Sequence, residues 1–302
     1  MKRIFAVLCV FLGLVSGFTC ANAESQAPSS HDDPLLMGLI PEQNIFKQVE
    51  RYEPLTDYLS KKIGRKITLK LLTRYGNIVD NFVSERLDMA FFGSFSYALA
   101  YSKLSVEVLA RPEWIDGTST YYGLIFVRKD SGIRTAGDME GKKFAFVDKA
   151  TTAGYLLPLA YFKKHGIHDY KTYFKEAYFT GTHEDAIYDV INGRADIGAA
   201  KNTVFFRLAE TDSRLSDELI ILDRSPDVPA NGLAVRKDLD ESLKQKLRET
   251  LLNINEDAEG QKILANYGAT RFIKTTLADY NPIFDYCKEI NLDLSTYDYI
   301  NE

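Results

Sequence analysis

Cysteine is nearly absent from this chain, with three in 302 residues, at positions 9, 20 and 287. No C-x-x-C or H-E-x-x-H spacing occurs, and the four histidines are scattered at 31, 165, 168 and 183, which argues against the common zinc sites. His165 and His168 are separated by Gly166, so they read as charge at a helix end rather than as a metal pair. There is no long Lys/Arg block, and the formal net charge is -5. Binding to a nucleic-acid backbone needs a basic footprint that this composition lacks. The G-x-S-x-G elbow, the Walker A loop and the G-x-G-x-x-G fingerprint are also missing. Beyond the N-terminal leader, no apolar run is long enough to span a bilayer.

What the chain does have is 45% hydrophobic and 12% aromatic residues, enough for a large core. Single cores stop growing at about 250–300 residues, so the length predicts two domains or one bilobed unit. Met1-Lys2-Arg3, the apolar run Ile4–Leu14 and Ala21-Asn22-Ala23 before Glu24 form a secretory signal peptide, residues 1–23, cleaved after Ala23. A lipidated Cys20 is the rival reading, but Phe18 and Thr19 match a lipoprotein cleavage site poorly. Cys9 and Cys20 leave with the leader, so no internal disulfide is expected. Cys287, among Ile283, Phe284, Tyr286 and Ile290, reads as a buried, inert thiol.

After a polar tail at 24–33, β-type runs alternate with amphipathic helical stretches, which predicts a mostly parallel sheet covered by helices. Leu35–Ile40, Ile67–Leu72, Met89–Phe92 and Val106–Ala110 read as strands, with helices at Phe46–Ile63, Ile78–Arg86 and Phe95–Lys103. The pattern restarts with strands Lys143–Val147, Thr172–Tyr178 and Ala195–Ala199 and helices Thr152–His165, Glu184–Asn192 and Val204–Ala209. Val83-x-x-x-Leu87-Asp88-Met89-Ala90 is echoed by Ile191-x-x-x-Ala195-Asp196-Ile197-Gly198, as if the lobes shared one topology. Tyr122–Arg128 and Ile220–Leu222 are expected to carry the chain across and back as a two-strand hinge. Tail helices near Glu241–Asn253, Asp257–Asn266 and Ala278–Ile290 are expected to pack on the first lobe. The lobes are then 34–122 plus 224–302, and 123–223.

Chemistry gathers where strands hand over to helices, since ligands of open α/β sheets bind at that edge. The stretch Asp148-Lys149-Ala150-Thr151-Thr152-Ala153-Gly154 follows a strand and opens a helix, where unpaired N–H groups and threonine hydroxyls suit a tetrahedral oxyanion or simply cap the helix. Phe179-Thr180-Gly181-Thr182-His183-Glu184 lies at the same kind of junction and brings His183, as ligand donor or as a polar helix-start residue. Tyr75, Gly93-Ser94 and Tyr121-Tyr122 fall at strand ends or at the crossing, where a tyrosine hydroxyl is a good neutral donor.

Taken in order and spacing, several pieces resemble the phosphonate-binding (PhnD-like) family of periplasmic substrate-binding proteins. They are Tyr75, Leu87-Asp88-Met89-Ala90-Phe91-Phe92-Gly93, Tyr121 leading into Val127-Arg128-Lys129-Asp130-Ser131-Gly132-Ile133, and Gly141-Lys142-Lys143-Phe144-Ala145-Phe146. Further on come Thr151-Thr152-x-Gly154 with Pro158, Gly181-Thr182-His183-Glu184 and Gly193-Arg194-Ala195-Asp196. The resemblance implies a type II periplasmic binding protein, α/β, with two lobes joined by a two-strand hinge and closing over one ligand. It implies a monomer that captures a small phosphorus oxyanion (phosphonate, phosphite or phosphate) in the periplasm and delivers it to an ABC transporter permease in the inner membrane. No catalytic residue, cofactor or metal is implied. The contacts it implies are Tyr75 and Tyr121 on one side and Thr151, Thr152 and His183 on the other.

The chain departs from the family pattern in three places. Ala153 replaces the third hydroxyl of the turn. Asn231, in Pro229-Ala230-Asn231-Gly232, stands where aminoalkylphosphonate binders place an Asp, which favours phosphate, phosphite or a simple alkylphosphonate unless Asp227 compensates. Ser94 stands where relatives often have proline or asparagine, and is a candidate contact. The alternatives are a ligand-sensing module of the same fold docking on a receptor kinase, and an enzyme using the same cleft. Neutral donors aimed at an anion bind ground states without chemistry, which disfavours the enzyme.

Overall fold

Residues 33–301 are described by a computed structural model of the chain. The leader, its cleavage after Ala23, Cys20 and the polar stretch up to residue 32 lie outside the described residues. The first apolar runs become β1 (Leu35–Leu39), β2 (Ile67–Leu71) and β3 (Met89–Phe92), separated by α1 (Ile45–Ile63) and α2 (Asn77–Ser84). Asn44 starts α1 by accepting the Phe46 amide at 3.0 Å, and Gly64, at φ 75°, ends it in the left-handed conformation. Then follow α3 (Ser94–Leu104), β4 (Glu107–Trp114), β5 (Thr120–Tyr121), β6 (Gly123–Arg128), β7 (Lys143–Phe146), α4 (Leu157–Lys164), α5 (Tyr170–Tyr173), β8 (Glu176–Phe179), α6 (His183–Ile191), β9 (Ile197–Lys201), α7 (Asn202–Ala209), α8 (Arg214–Glu218) and β10 (Leu219–Arg224). The chain ends with β11 (Val228–Pro229), β12 (Gly232–Val235), α9 (Glu241–Leu252), α10 (Ala258–Tyr267), β13 (Ala269–Lys274) and α11 (Asn281–Glu289).

Two sheets organise these elements. One has the order β13-β4-β12-β3-β1-β2 and the other β10-β6-β9-β7-β8. Read from β2 and from β8, both begin with three parallel strands, followed by an antiparallel strand that the chain enters straight after crossing between lobes. The internal sequence echo has a physical cause in this shared plan. Asp88 accepts the Leu36 amide of β1 at 2.8 Å, and Asp196 accepts the Lys143 amide of β7 at 2.9 Å. Each aspartate thus ties the start of its own strand to the neighbouring one.

Burial of Leu35, Met37, Leu39, Phe91 and Leu233 holds the first sheet to α1, α9 and α10, each such side chain contributing about 1.5–3 kcal/mol. Phe126, Ile187, Val190 and Phe205 form one face of the second core, and a ring cluster around Phe144, Phe146 and Phe162 forms the other. Cys287 is buried in the first lobe, where burial pushes its thiol up to about 12.

Four expectations are corrected. The crossing segments are not 122–128 and 220–222, because β6 and β10 lie inside the second sheet. The crossing ribbon is instead the short antiparallel pair β5 and β11, with Val228 opposite Tyr121. The predicted strand 172–178 begins with the helical turn α5, because the Asp169 carboxylate caps Lys171, and only Glu176–Phe179 extends. The helix predicted from Thr152 starts as a wide π-type turn, Thr152–Leu156, before α4. Finally, the tail does more than pack on the first lobe. Beyond α11, Tyr297 donates to the Lys149 carbonyl at 2.9 Å, and Asn301 donates to Asp148 at 2.9 Å and accepts the Lys149 amide at 3.0 Å, so the last residues strap onto the second lobe.

Candidate functional site

Parallel order puts the carboxyl ends of β1, β2, β3 and of β7, β8, β9 on facing edges, and the loops leaving them meet between the lobes. The cavity there is lined from the first lobe by Ile40, Glu42, Tyr75 and Asn231, and from the second by Thr151, Thr152, His183 and Lys201, with Tyr121 at the crossing. Its volume open to the centre of a water molecule is about 10 Å³. That is room for about one water, so the lobes must part before a phosphate-sized ion can enter.

A hydroxyl relay crosses this interface. The Ser94 amide donates to the Tyr121 hydroxyl at 3.3 Å, and Tyr121 donates to Thr152 Oγ1 at 2.7 Å. Thr152 Oγ1 also accepts the Phe95 amide, at the start of α3, at 2.9 Å. With both acceptor positions of its oxygen taken, Thr152 has its hydroxyl proton left to offer. The π-type turn that presents it depends on Gly154, whose carbonyl accepts the Val147 amide at 3.2 Å. A Cβ on Gly154 would stand 2.4 Å from Val147 Cβ and Cγ2 and 2.8 Å from Thr151 Oγ1. Gly154→Ala is therefore expected to destabilise the protein by about 1–3 kcal/mol, read as a lower urea midpoint. An unchanged midpoint would mean that the turn has slack the contacts do not suggest.

Beside the relay lies a buried ion pair joining the lobes. Lys201 Nζ donates to Glu42 Oε1 at 2.7 Å and to Asn231 Oδ1 at 2.9 Å, and Asn231 Nδ2 donates to Glu42 Oε1 at 3.0 Å. The ammonium stands 4.4 Å from the centre of the Tyr121 ring. Burial alone would raise the Glu42 carboxyl, but the charge and hydrogen bond of Lys201 override it and bring it down to about 2. Burial lowers the Lys201 ammonium against the pull of Glu42. Burial likewise lowers His183 to about 3, opposed by Glu42, so the imidazole is neutral at physiological pH. Its Nδ1 accepts the Lys201 amide at 3.3 Å, which assigns the proton to Nε2. Tyr75 is buried with its ring 5.8 Å from that of His183, and its hydroxyl oxygen has no protein partner. Asp148, just behind the turn, is raised to about 6 by burial, against hydrogen bonds from the Ala150 amide and Asn301.

Of the residues singled out from sequence, Tyr75, Tyr121, Thr151, Thr152, His183 and Asn231 meet at this cavity. Thr151 turns its hydroxyl back to the Asp148 carbonyl at 2.6 Å. Ser94 is a correction: its hydroxyl donates to the Pro229 carbonyl at 2.6 Å, and Ser96 lines the cavity instead. Asp227 does not compensate for Asn231, because it is exposed and paired with Arg224 at 2.7 Å. Glu42 and Lys201 were not anticipated. Each stands just past or at the carboxyl end of a buried strand, the one position that marks the ligand edge of an α/β sheet.

Two α/β lobes of matching strand order, closed on a buried polar cleft, define a type II periplasmic binding protein. A model of the family described as ABC transporter, phosphonate, periplasmic substrate-binding protein matches residues 37–280, and the chain belongs to that family of substrate-binding components. The phosphonates-binding periplasmic protein of Escherichia coli strain K12 is 25% identical over 273 residues, 88% of this chain and 80% of that protein. A probable phosphite-binding protein of an ABC transporter from Prochlorococcus marinus is 24% identical over 289 residues, 92% of this chain and 97% of its own length. The structure of the Prochlorococcus protein in complex with methylphosphonate has a TM-score of 0.76 at 23% identity, covering 85% of this chain and 98% of that one. A binding-protein component of a Pseudomonas aeruginosa ABC phosphonate transporter gives a TM-score of 0.80 at 24% identity, covering 86% of this chain and 87% of the other. Among the described residues no helix is long and apolar enough to cross a membrane.

Proposed function

We propose that this protein captures a small phosphorus oxyanion (phosphonate, phosphite or phosphate) between its lobes and hands it to an ABC transporter permease. In this reading the leader is removed after Ala23, and the mature chain works as a periplasmic monomer. Residues 34–122 with 224–302 form one lobe and 123–223 the other, with Tyr297 and Asn301 of the tail reaching across to Lys149 and Asp148 of the second. Tyr75, Tyr121, Thr151, Thr152, His183 and Asn231 face the ligand. Relatives named for phosphonates and phosphite, one of them solved with methylphosphonate, support the ligand class.

The observation that carries this reading is the Tyr75 hydroxyl, buried at the cavity with no protein acceptor or donor. An unmet buried polar group is unfavourable by about 1–3 kcal/mol, and an oxyanion admitted as the lobes part supplies the missing partner. A ligand adds to the closure that the interlobe bonds already favour only if it touches both lobes, because a ligand shifts an equilibrium by its differential affinity for the two states.

The test is a thermal-shift panel on the mature protein with phosphate, phosphite, methylphosphonate and sulfate, repeated with Tyr75→Phe. A selective ligand at about 100-fold over its dissociation constant stabilises by about 2.7 kcal/mol. Tyr75→Phe should melt no lower than wild type without ligand, yet bind the selected anion more weakly by about 1–3 kcal/mol. If no phosphorus anion raises the melting temperature, or if Tyr75→Phe responds like wild type, the reading is wrong.

A further inference from the structure

The environment of Lys201 Nζ has the chemistry that recognises a primary ammonium. A carboxylate oxygen lies at 2.7 Å, an amide carbonyl oxygen at 2.9 Å and an aromatic ring centre at 4.4 Å. All four residues, Lys201, Glu42, Asn231 and Tyr121, are buried. All three walls of this arrangement come from the first lobe and the crossing, while the ammonium comes from β9 of the second. Closing the lobes therefore seats a tethered alkylammonium in a cage that the opposite lobe provides.

We infer that Lys201 is the resident occupant of an ammonium cage, and that the cleft therefore takes phosphorus oxyanions without a cationic group and rejects aminoalkylphosphonates. This deepens the proposed function and rests on it for the identity of the anion. A ligand ammonium would need its own acceptor, and Glu42 is the one carboxylate among the residues lining the cavity, already counter-charged by Lys201. Asp148 stands behind the turn with its oxygens engaged by the Ala150 amide and Asn301, and Asp227 is held outside by Arg224. A second ammonium in this space would also meet the Lys201 charge at close range in a poorly screened interior. The neutral Asn231 contributes to the same selection, since its carbonyl faces Lys201 and its amide faces Glu42.

The experiment compares wild type, Lys201→Ala and Lys201→Met by titration calorimetry with methylphosphonate and 2-aminoethylphosphonate, and by melting in ethylammonium chloride against sodium chloride at equal ionic strength. Wild type should prefer methylphosphonate, and Lys201→Ala should shift the ratio of the two affinities toward 2-aminoethylphosphonate by about ten-fold or more, the size of one charge-assisted hydrogen bond. Ethylammonium should raise the melting temperature of Lys201→Ala but not of wild type or Lys201→Met, because the methionine stem keeps the cage filled. Adding Glu42→Gln to Lys201→Ala should abolish both gains. Circular dichroism checks the fold of each variant, with Lys201→Ser as the second way to empty the cage. Equal wild-type affinity for the two phosphonates, or an emptied cage that answers neither to the amine-bearing phosphonate nor to ethylammonium, overturns the inference. Wild type binding no phosphorus anion would instead remove the proposed ligand, while the ethylammonium melts would still decide whether the cage exists.

Discussion

Glu42→Ala is expected to part the lobes. The carboxylate is buried, accepts from Lys201 Nζ at 2.7 Å and Asn231 Nδ2 at 3.0 Å, and joins residues 159 positions apart. Removing one member of a buried pair strands the other, a loss of about 3–5 kcal/mol. Here the stranded Lys201 has a way out that a core residue lacks, since opening the cleft returns its ammonium to water. The loss should therefore fall mainly on the closed form, and only partly on global unfolding. The backbone at the same spot loses nothing, because the Glu42 carbonyl would still accept the His183 amide at 3.2 Å. Small-angle scattering of the ligand-free variant should give a larger radius of gyration than wild type, with a saturating oxyanion bringing the two together. A scattering curve identical to wild type in the absence of ligand would show that the ion pair does not hold the lobes.

Acidification should loosen the protein through His183. Its folded pKa is depressed to about 3 by burial, against an ordinary value of 6.5, so between those limits the unfolded chain binds a proton that the folded protein refuses. Stability from this group is present above pH 6.5 and is lost steadily as the pH falls toward 3. At about 1.4 kcal/mol per unit, the whole window amounts to about 3–5 kcal/mol. Glu42, depressed from 4.5 to about 2, adds loss in the same direction only below about pH 4.5. Asp148 works the other way: its folded pKa is raised from 3.8 to about 6, so its contribution grows as the pH falls from 6 to 3.8. The difference between wild type and His183→Gln isolates the histidine. Urea midpoints of the two should converge as the pH is lowered from 7 to 4. Parallel profiles would mean that His183 titrates in the folded protein as it does in the unfolded chain.

Legibility in the sequence followed from how local each signal is. The strands Leu35–Leu39, Met89–Phe92 and Ile197–Lys201 are short apolar runs buried from end to end or nearly so, and composition reveals them within a residue or two. The strand Ala269–Lys274 was missed because it lies at a sheet edge with Thr270, Arg271 and Lys274 exposed, so its apolar periodicity is weak. The crossing ribbon was misplaced because β5 and β11 have two residues each, too few to carry a pattern. Thr151, Thr152 and His183, which line the cavity, stood out as candidates because they open helices in a recognisable order. Glu42 and Lys201 were not found, because a glutamate after proline and a lysine ending a strand look like solvated charges until their partners are known.

The α/β alternation, the doubled Asp-led junction and the ordered motifs of the family are all legible without coordinates, because each depends on neighbours within a turn or a strand. Which charges are buried together, which serine faces the cavity and that Asp227 stays outside emerge from the folded arrangement alone. Those outcomes depend on distances between residues far apart in the chain, and an ion pair or a cage exists only where two lobes bring its members within hydrogen-bond reach.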